Sequence, residues 1–216
     1  QERWSTQAGL PQVSGNALAQ DGMGYIWIGT QTGLARFDGV RFTTFTPSNT
    51  PALPGAWIRV LRTDANGALW IGTYQGVAVH DERGFRTIAS PPGMAAPDIQ
   101  DIAFAANGDV LVASEQGVYT VVDQRLQPLP QAPHPARALW ANADGVWIAS
   151  VGRVVHIGDG NVQTLPLPPA MAAVAVTALR EVRGQMWLGS RRGLWVREGD
   201  AWQPVSLQAT GFRDGL

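Results

Sequence analysis

Apolar positions in this chain come in short runs, cut by glycine, proline and Asn-Gly or Asp-Gly pairs. Inside the runs the residues are β-branched or aromatic, as in Trp27-Ile28, Val110-Leu111-Val112 and Trp187-Leu188. That is the composition of strands bounded by turns. No stretch of eleven or more residues keeps helical spacing free of Gly and Pro, and 25 Gly and 15 Pro would break long helices repeatedly. The pattern predicts an all-β chain.

The runs also repeat. Gly24 to Leu34 returns as Gly67 to Val77 and again as Gly184 to Leu194, with weaker copies at Gly108 to Val118 and Gly145 to Val154. The anchors Trp27, Trp70, Leu111, Trp147 and Trp187 are spaced 43, 41, 36 and 40 residues apart. A repeat of roughly 40 residues made of strands is the signature of a four-stranded propeller blade. In the second copy, Ile58 to Asp64, Ala68 to Thr73, Val77 to His80 and Phe85 to Ile88 read as strands A to D, joined by tight turns. The Pro-rich Pro91-Pro92-Gly93 leads to the next strand A at Asp98 or Ile99. The five repeats span approximately 14–50, 57–91, 98–130, 136–167 and 173–208 of one propeller region covering 1–216.

Columns of the repeat carry physical reasons. Two residues after the anchor stand Gly29, Gly72, Ala113, Ala149 and Gly189, small enough for a neighbouring blade to approach. Thr30, Thr73, Ser114, Ser150 and Ser190 follow, able to bond turn backbone. Gly33, Gly76, Gly117 and Gly193 suit turns with positive φ; the fourth copy has Arg153 there and its glycine one place early. The anchor indoles are expected between blades.

The pattern Asp-x-x-Gly-x-(Ile/Leu)-Trp-Ile-Gly-Thr-x-x-Gly-(Leu/Val), with Gly9-Leu10-Pro11 and Leu53-Pro54 ahead of strand A, resembles the two-component regulator propeller repeat. Three good and two degenerate copies cover most of the chain. The resemblance implies an extracytoplasmic, periplasmic sensor region of an inner-membrane receptor. The output domain would be a hybrid histidine kinase or a diguanylate cyclase, and the ligand in some members is an oligosaccharide.

Arg3-Trp4-Ser5-Thr6 matches the strand D around Phe42, so residues 1–8 read as an orphan outer strand, and 209–216 as the start of a next linker. The expectation is an open five-blade arc belonging to a larger propeller, with a closed five-bladed ring as the alternative. Gln1-Glu2 would suit the start of a processed, exported protein. An open arc would expose two apolar blade faces and favour contact with further blades or a second copy.

Composition removes several chemistries. Net charge is −1 and no basic stripe exists, which argues against nucleic acid. No apolar run is long enough for a spanning helix. Cysteine and lysine are both absent, which excludes disulfides, thiolate metal sites, a Cys nucleophile, Schiff bases and P-loop phosphate binding. His80, His134 and His156 show no metal-ligand spacing, and His80 and His156 should not converge. Asp21, Asp38, Asp64 and Asp81 read as turn residues. No catalytic residue, metal or cofactor is expected.

A ligand-reading position need not repeat, so the site is sought where copies differ. The turns between strands B and C read Gln31-Thr32, Tyr74-Gln75, Glu115-Gln116, Val151-Gly152 and Arg191-Arg192, on the same face as the linkers. Arg191 and Arg192 could grip a carboxylate, phosphate or sugar. Trp57 beside Arg59 offers a stacking surface at the channel mouth or packs beneath the linker; Trp140 and Trp195 read as core. The candidate ligand-binding set is therefore Trp57, Arg59, Tyr74, Gln75, Glu115, Arg191 and Arg192. Three functions stay open: a non-catalytic sensor module, a propeller enzyme of streptogramin-lyase type using His134 and Glu115 with a metal, and an interaction scaffold.

Overall fold

The computed structural model describes residues 9–206. The expected orphan strand at 1–8 and the expected linker at 209–216 lie outside them. The described chain forms five four-stranded antiparallel sheets, each made from four consecutive strands. Blade 1 holds β1 (Ala17–Gln20), β2 (Ile26–Gly29), β3 (Leu34–Phe37) and β4 (Phe42–Phe45). Blade 2 holds β5 (Ile58–Thr63), β6 (Leu69–Thr73), β7 (Gly76–Asp81) and β8 (Gly84–Ile88). Blade 3 holds β9 (Ile99–Phe104), β10 (Val110–Ser114), β11 (Gly117–Val122) and β12 (Arg125–Pro128). Blade 4 holds β13 (Ala138–Asn142), β14 (Gly145–Ser150), β15 (Arg153–Gly158) and β16 (Asn161–Pro166). Blade 5 holds β17 (Val176–Val182), β18 (Gln185–Ser190), β19 (Gly193–Glu198) and β20 (Ala201–Val205). The apolar stretch before blade 5 is not strand from its start. Pro169–Met171 makes a 3-10 turn and the strand opens at Val176. Pro168 and Pro169 fix φ there and deny the donors a strand would need.

The inner strands touch in series, β1 to β5, β5 to β9, β9 to β13 and β13 to β17. The small residue after the anchor sets this approach. A Cβ added at Gly72 would lie 2.5 Å from Val60 Cγ1 and 2.6 Å from Ile99 Cγ2 of the next blade. The anchor indoles fill the space between sheets. Trp27 is fully buried and packs on Phe45 of its own blade and on His80 and Phe85 of blade 2. Trp70 meets blade 3 through Phe104, at the end of the inner strand β9. Linker residues Leu10 and Leu53 are buried too.

The two ends of the row differ from its middle. Leu18 is 68% exposed, whereas Leu61, at the same place in blade 2, is 1% exposed. At the other end Leu194 is 37% exposed, against 0% for its counterparts Leu34 and Val77. In both cases the face that a neighbouring blade covers elsewhere is uncovered among the described residues.

The hydroxyl column behaves as expected, with one exception. Thr30, Thr73, Ser114 and Ser190 each donate to the carbonyl three residues on, at Gly33, Gly76, Gly117 and Gly193. Ser150 donates instead to Pro135 O at 2.7 Å. Gly33 departs from the expected reason. It is not among the positive-φ residues; a Cβ there would meet Phe45 O at 2.9 Å, so the turn needs space rather than handedness.

Candidate functional site

Strand A begins beside the end of strand B, so the linkers and the B–C turns share one face of the array. At the inner rim of that face each blade presents one polar residue. Arg59, Gln100 and Thr177 are the extra residues of register shifts at the start of β5, β9 and β17. Asn16 and Arg137 hold the same place just before β1 and β13, donating backbone N–H to Gly29 O and Ala149 O. A bulge re-aims the side chain it carries and is a recurrent device at sites. Here it turns polar groups toward neighbouring blades. Asn16 Nδ2 donates to Ile58 O at 3.3 Å. Arg59 grips Asp98, ahead of β9, through Nε at 3.1 Å and Nη2 at 2.8 Å. Arg137 Nη1 reaches Gln100 Oε1 at 3.4 Å and Glu115 Oε1 at 2.6 Å. The rim from blade 1 to blade 4 is thus stitched by polar contacts between neighbours.

The residues expected to bind ligand are only partly gathered. Trp57, Arg59 and Tyr74 form one cluster. The Arg59 guanidinium carbon lies 3.8 Å from the centroid of the Trp57 ring, and the Trp57 and Tyr74 rings are 6.5 Å apart. Tyr74 N–H donates to Trp57 O, so the B–C turn carrying Tyr74 and Gln75 is tied to the linker. One face of Trp57 is therefore covered by Arg59 rather than open. Glu115 is on the next blade boundary, spent on Arg137. Arg191 and Arg192 stand on blade 5 and do not act as a pair: Arg192 Nη1 donates to Ala170 O at 2.7 Å. No contact among the described residues links them to the Trp57 cluster. Sequence reasoning missed Asp98, Gln100, Arg137 and Asn16. Their signal was available as a column of polar residues at the head of each apolar strand A.

The opposite face carries the larger cavity, about 670 Å³, between the A–B turns of blades 1 and 2, the C–D turn of blade 2 and the edge of blade 3 at Val121 and Gln124. Three of its acids, Asp21, Asp64 and Asp81, are committed. Asp21 accepts from Met23 N, Tyr25 N and, at 2.7 Å, from Trp27 Nε1. Asp64 repeats the set with Asn66 N, Ala68 N and Trp70 Nε1. Asp81 takes two charge-assisted bonds from Arg86, at 2.7 and 2.6 Å, which hold its carboxyl down to about 2. His80, half-buried against Trp27 and Phe85, is held below the ordinary imidazole range by burial and by the nearby Arg36 charge. His156 stacks on Trp147 at 4.2 Å, so the two histidines serve separate aromatic contacts. Trp195 is partly buried against the core of blades 4 and 5.

Residues 52–75, spanning the Leu53-Pro54 linker, the Trp57–Arg59 rim and the Trp70 anchor, match the family model described as two component regulator propeller. That match falls within one of the five blade repeats. No curated protein sequence matches the chain. Solved structures of like shape include extracellular domains of such signalling systems. The extracellular domain described as that of a hybrid two component system, BT3049 of B. thetaiotaomicron, superposes with a TM-score of 0.77 at 19% identity, over 94% of this chain and 31% of that one. The extracellular domain of a one component system, BT4673 of the same organism, gives 0.56 at 16% identity, over 89% and 36%. Virginiamycin B lyase of Staphylococcus aureus gives 0.68 at 12% identity, over 88% and 69%. At these identities the likeness establishes the propeller fold. The chain spans about a third of the length of the two extracellular domains.

Proposed function

We propose that this regulator propeller is a non-catalytic, ligand-sensing module of a bacterial transmembrane receptor. It would stand in the periplasm as part of a larger propeller and relay binding to an output domain of the parent protein, a kinase or a cyclase. The observation that carries this reading is the rim of Asn16, Arg59, Gln100, Arg137 and Thr177. Its place in the blade repeats, its identity differs between successive copies, and its members in blades 1 to 4 bond across blade boundaries. A ligand that breaks one such contact shifts how two blades pack, and binding then biases the geometry presented to a downstream domain. The Trp57–Arg59–Asp98 cluster, flanked by Tyr74 and Gln75, is the point of entry for a small ligand such as an oligosaccharide, with Trp57 as apolar platform and Arg59 and Asp98 as polar grip.

A thermal-shift screen against neutral and acidic oligosaccharides tests this, followed by calorimetry on the wild type and Arg59→Ala. Saturable binding that Arg59→Ala weakens supports the sensor reading. Chemical turnover of a bound compound would replace it with an enzyme of lyase type, for which Glu115 would first have to leave Arg137. Absence of any small ligand, with protein partners captured by the same face, would replace it with a scaffold.

A further inference from the structure

A second, smaller cavity of about 250 Å³ opens in the channel itself, between the inner strands of blades 2 to 5. Its walls include Arg62 of β5, Phe104 of β9, Trp140 of β13 and Arg180 of β17. Four of these strands' residues, Arg62, Ala103, Trp140 and Arg180, occupy one repeat position, each paired across to the anchor of its blade: Trp70, Leu111, Trp147 and Trp187. Blade 1 has Ala19 there. The fold needs nothing larger than alanine at this position, since two blades make do with it. Arginine in blades 2 and 5 and tryptophan in blade 4 are therefore excess to the architecture. Trp140, expected as core, is partly buried against the core and also forms this wall.

Charge in the cavity does not balance. Asp101, only 5% exposed, receives Arg62 Nη2 at 2.7 Å, Ile102 N at 2.9 Å and Leu139 N at 3.0 Å. Its charge answers Arg62 and its acceptor capacity is largely used. Arg180 has no carboxylate within ion-pair distance among the described residues. Its Nη1 donates to Leu139 O at 3.1 Å and Leu179 O at 2.7 Å and its guanidinium carbon lies 5.4 Å from the Trp140 ring centroid, while Nε and Nη2 make no hydrogen bond to the described residues. Those two nitrogens form the edge of a guanidinium that takes a carboxylate in two parallel bonds. Burial lowers the guanidinium's pKa, Asp101 opposes this, and Arg62 adds to it. An anion in the cavity would relieve that cost.

We propose that the channel is a carboxylate-binding site in which Arg180 grips the ligand's carboxylate, Arg62 reinforces the positive potential, and Trp140 and Phe104 cover its carbon skeleton. The acid class fits a small sugar acid better than an inorganic ion, because half the wall is aromatic or aliphatic and offers an oxyanion nothing. This site lies apart from the Trp57–Arg59 rim and does not depend on it.

The test titrates the 216-residue chain with D-glucuronate, using D-glucose and the glucuronate methyl ester as uncharged controls and sulfate as inorganic control. Binding is read by calorimetry and by Trp140-sensitive fluorescence. Glucuronate is expected to bind saturably where both neutral sugars and sulfate bind at least about tenfold more weakly. Arg180→Gln is expected to lower its affinity by at least about tenfold, and Arg180→Lys, which keeps charge but loses the fork, by less. Arg153→Gln, which removes an exposed arginine from β15 of blade 4, leaves it unchanged, which separates the site from general surface charge. Equal binding by Arg180→Gln, or indifference to glucuronate in a wild type whose melting transition is intact, overturns the proposal. Sulfate binding as tight as glucuronate overturns the sugar-acid assignment. Should Arg180→Gln fail to fold, Arg180→Lys with the ester comparison carries the same decision.

Discussion

The acid of the Asp-x-x-Gly-x-(Ile/Leu)-Trp pattern is tied to its tryptophan by a bond that can be weighed. In blade 1 the Asp21 carboxylate closes the A–B turn through two amides and accepts the buried Trp27 indole at 2.7 Å. Blade 3 changes both members together: Ala105 stands at the acid's place and Leu111 at the indole's. Blades 4 and 5 keep Trp147 and Trp187 without this aspartate, and Trp187 Nε1 is buried without a partner. Asp21→Ala strands a buried indole N–H, at about 1–3 kcal/mol, and releases two turn amides, at about 0.5–1.5 kcal/mol each. The loss should reach roughly 2–6 kcal/mol. Trp27→Phe keeps an aromatic between the blades but removes the donor and some buried area, for roughly 2–3 kcal/mol. If the indole–carboxylate bond is the link, the double variant is less destabilised than the sum of the singles by about 1.5–3 kcal/mol, the worth of a hydrogen bond to a charged acceptor. Urea unfolding followed by far-UV circular dichroism measures all four proteins without relying on the fluorescence of the residue being removed. Additivity to within about 0.5 kcal/mol would show that the pair acts as two independent structural residues and would refute the coupling.

Two further effects follow from the same packing. Gly72→Ala forces a Cβ into Val60 and Ile99 and should cost about 1–3 kcal/mol, while Gly189→Ala, whose nearest neighbour would be Ala178 Cβ at 3.4 Å, should be close to neutral in the same denaturation experiment. Equal costs would mean that blade 5 is covered as blade 2 is. The Asp81 carboxyl, held from its ordinary 3.8 down to about 2 by Arg86, adds stability that is complete above pH 4 and fades as pH falls toward 2. Arg86→Gln should flatten stability against pH across that window; an unchanged slope would remove the pair as its source.

Much of the fold was legible because its demands recur. Trp27 and Trp70, Gly29 and Gly72, Thr30 and Thr73 each meet the same surroundings in successive blades, so one physical reason writes the same residue repeatedly. Strand limits in blade 2 fell within a residue of expectation for that reason. What escaped was set by single events. Pro168-Pro169 delays β17, and the Phe45 carbonyl, not φ, reserves the place of Gly33.

The site was less legible because variation was sought in the turns, where solvent permits any polar residue and difference carries little information. Arg191 and Arg192 differ from their counterparts, yet one holds a local carbonyl. Variation is more telling inside the channel, where burial penalises charge. A guanidinium at Arg180, where Ala19 and Ala103 satisfy the same backbone, carries a desolvation cost that lowers its pKa. Asp101 shows how the chain answers such a cost when the reason is structural: it matches Arg62 and two amides with one carboxylate. Arg180 has no ion pair of its own among the described residues: it donates to two carbonyls, lies 5.4 Å over the Trp140 ring and shares the field of Asp101, so the proposed carboxylate would supply the pairing charge.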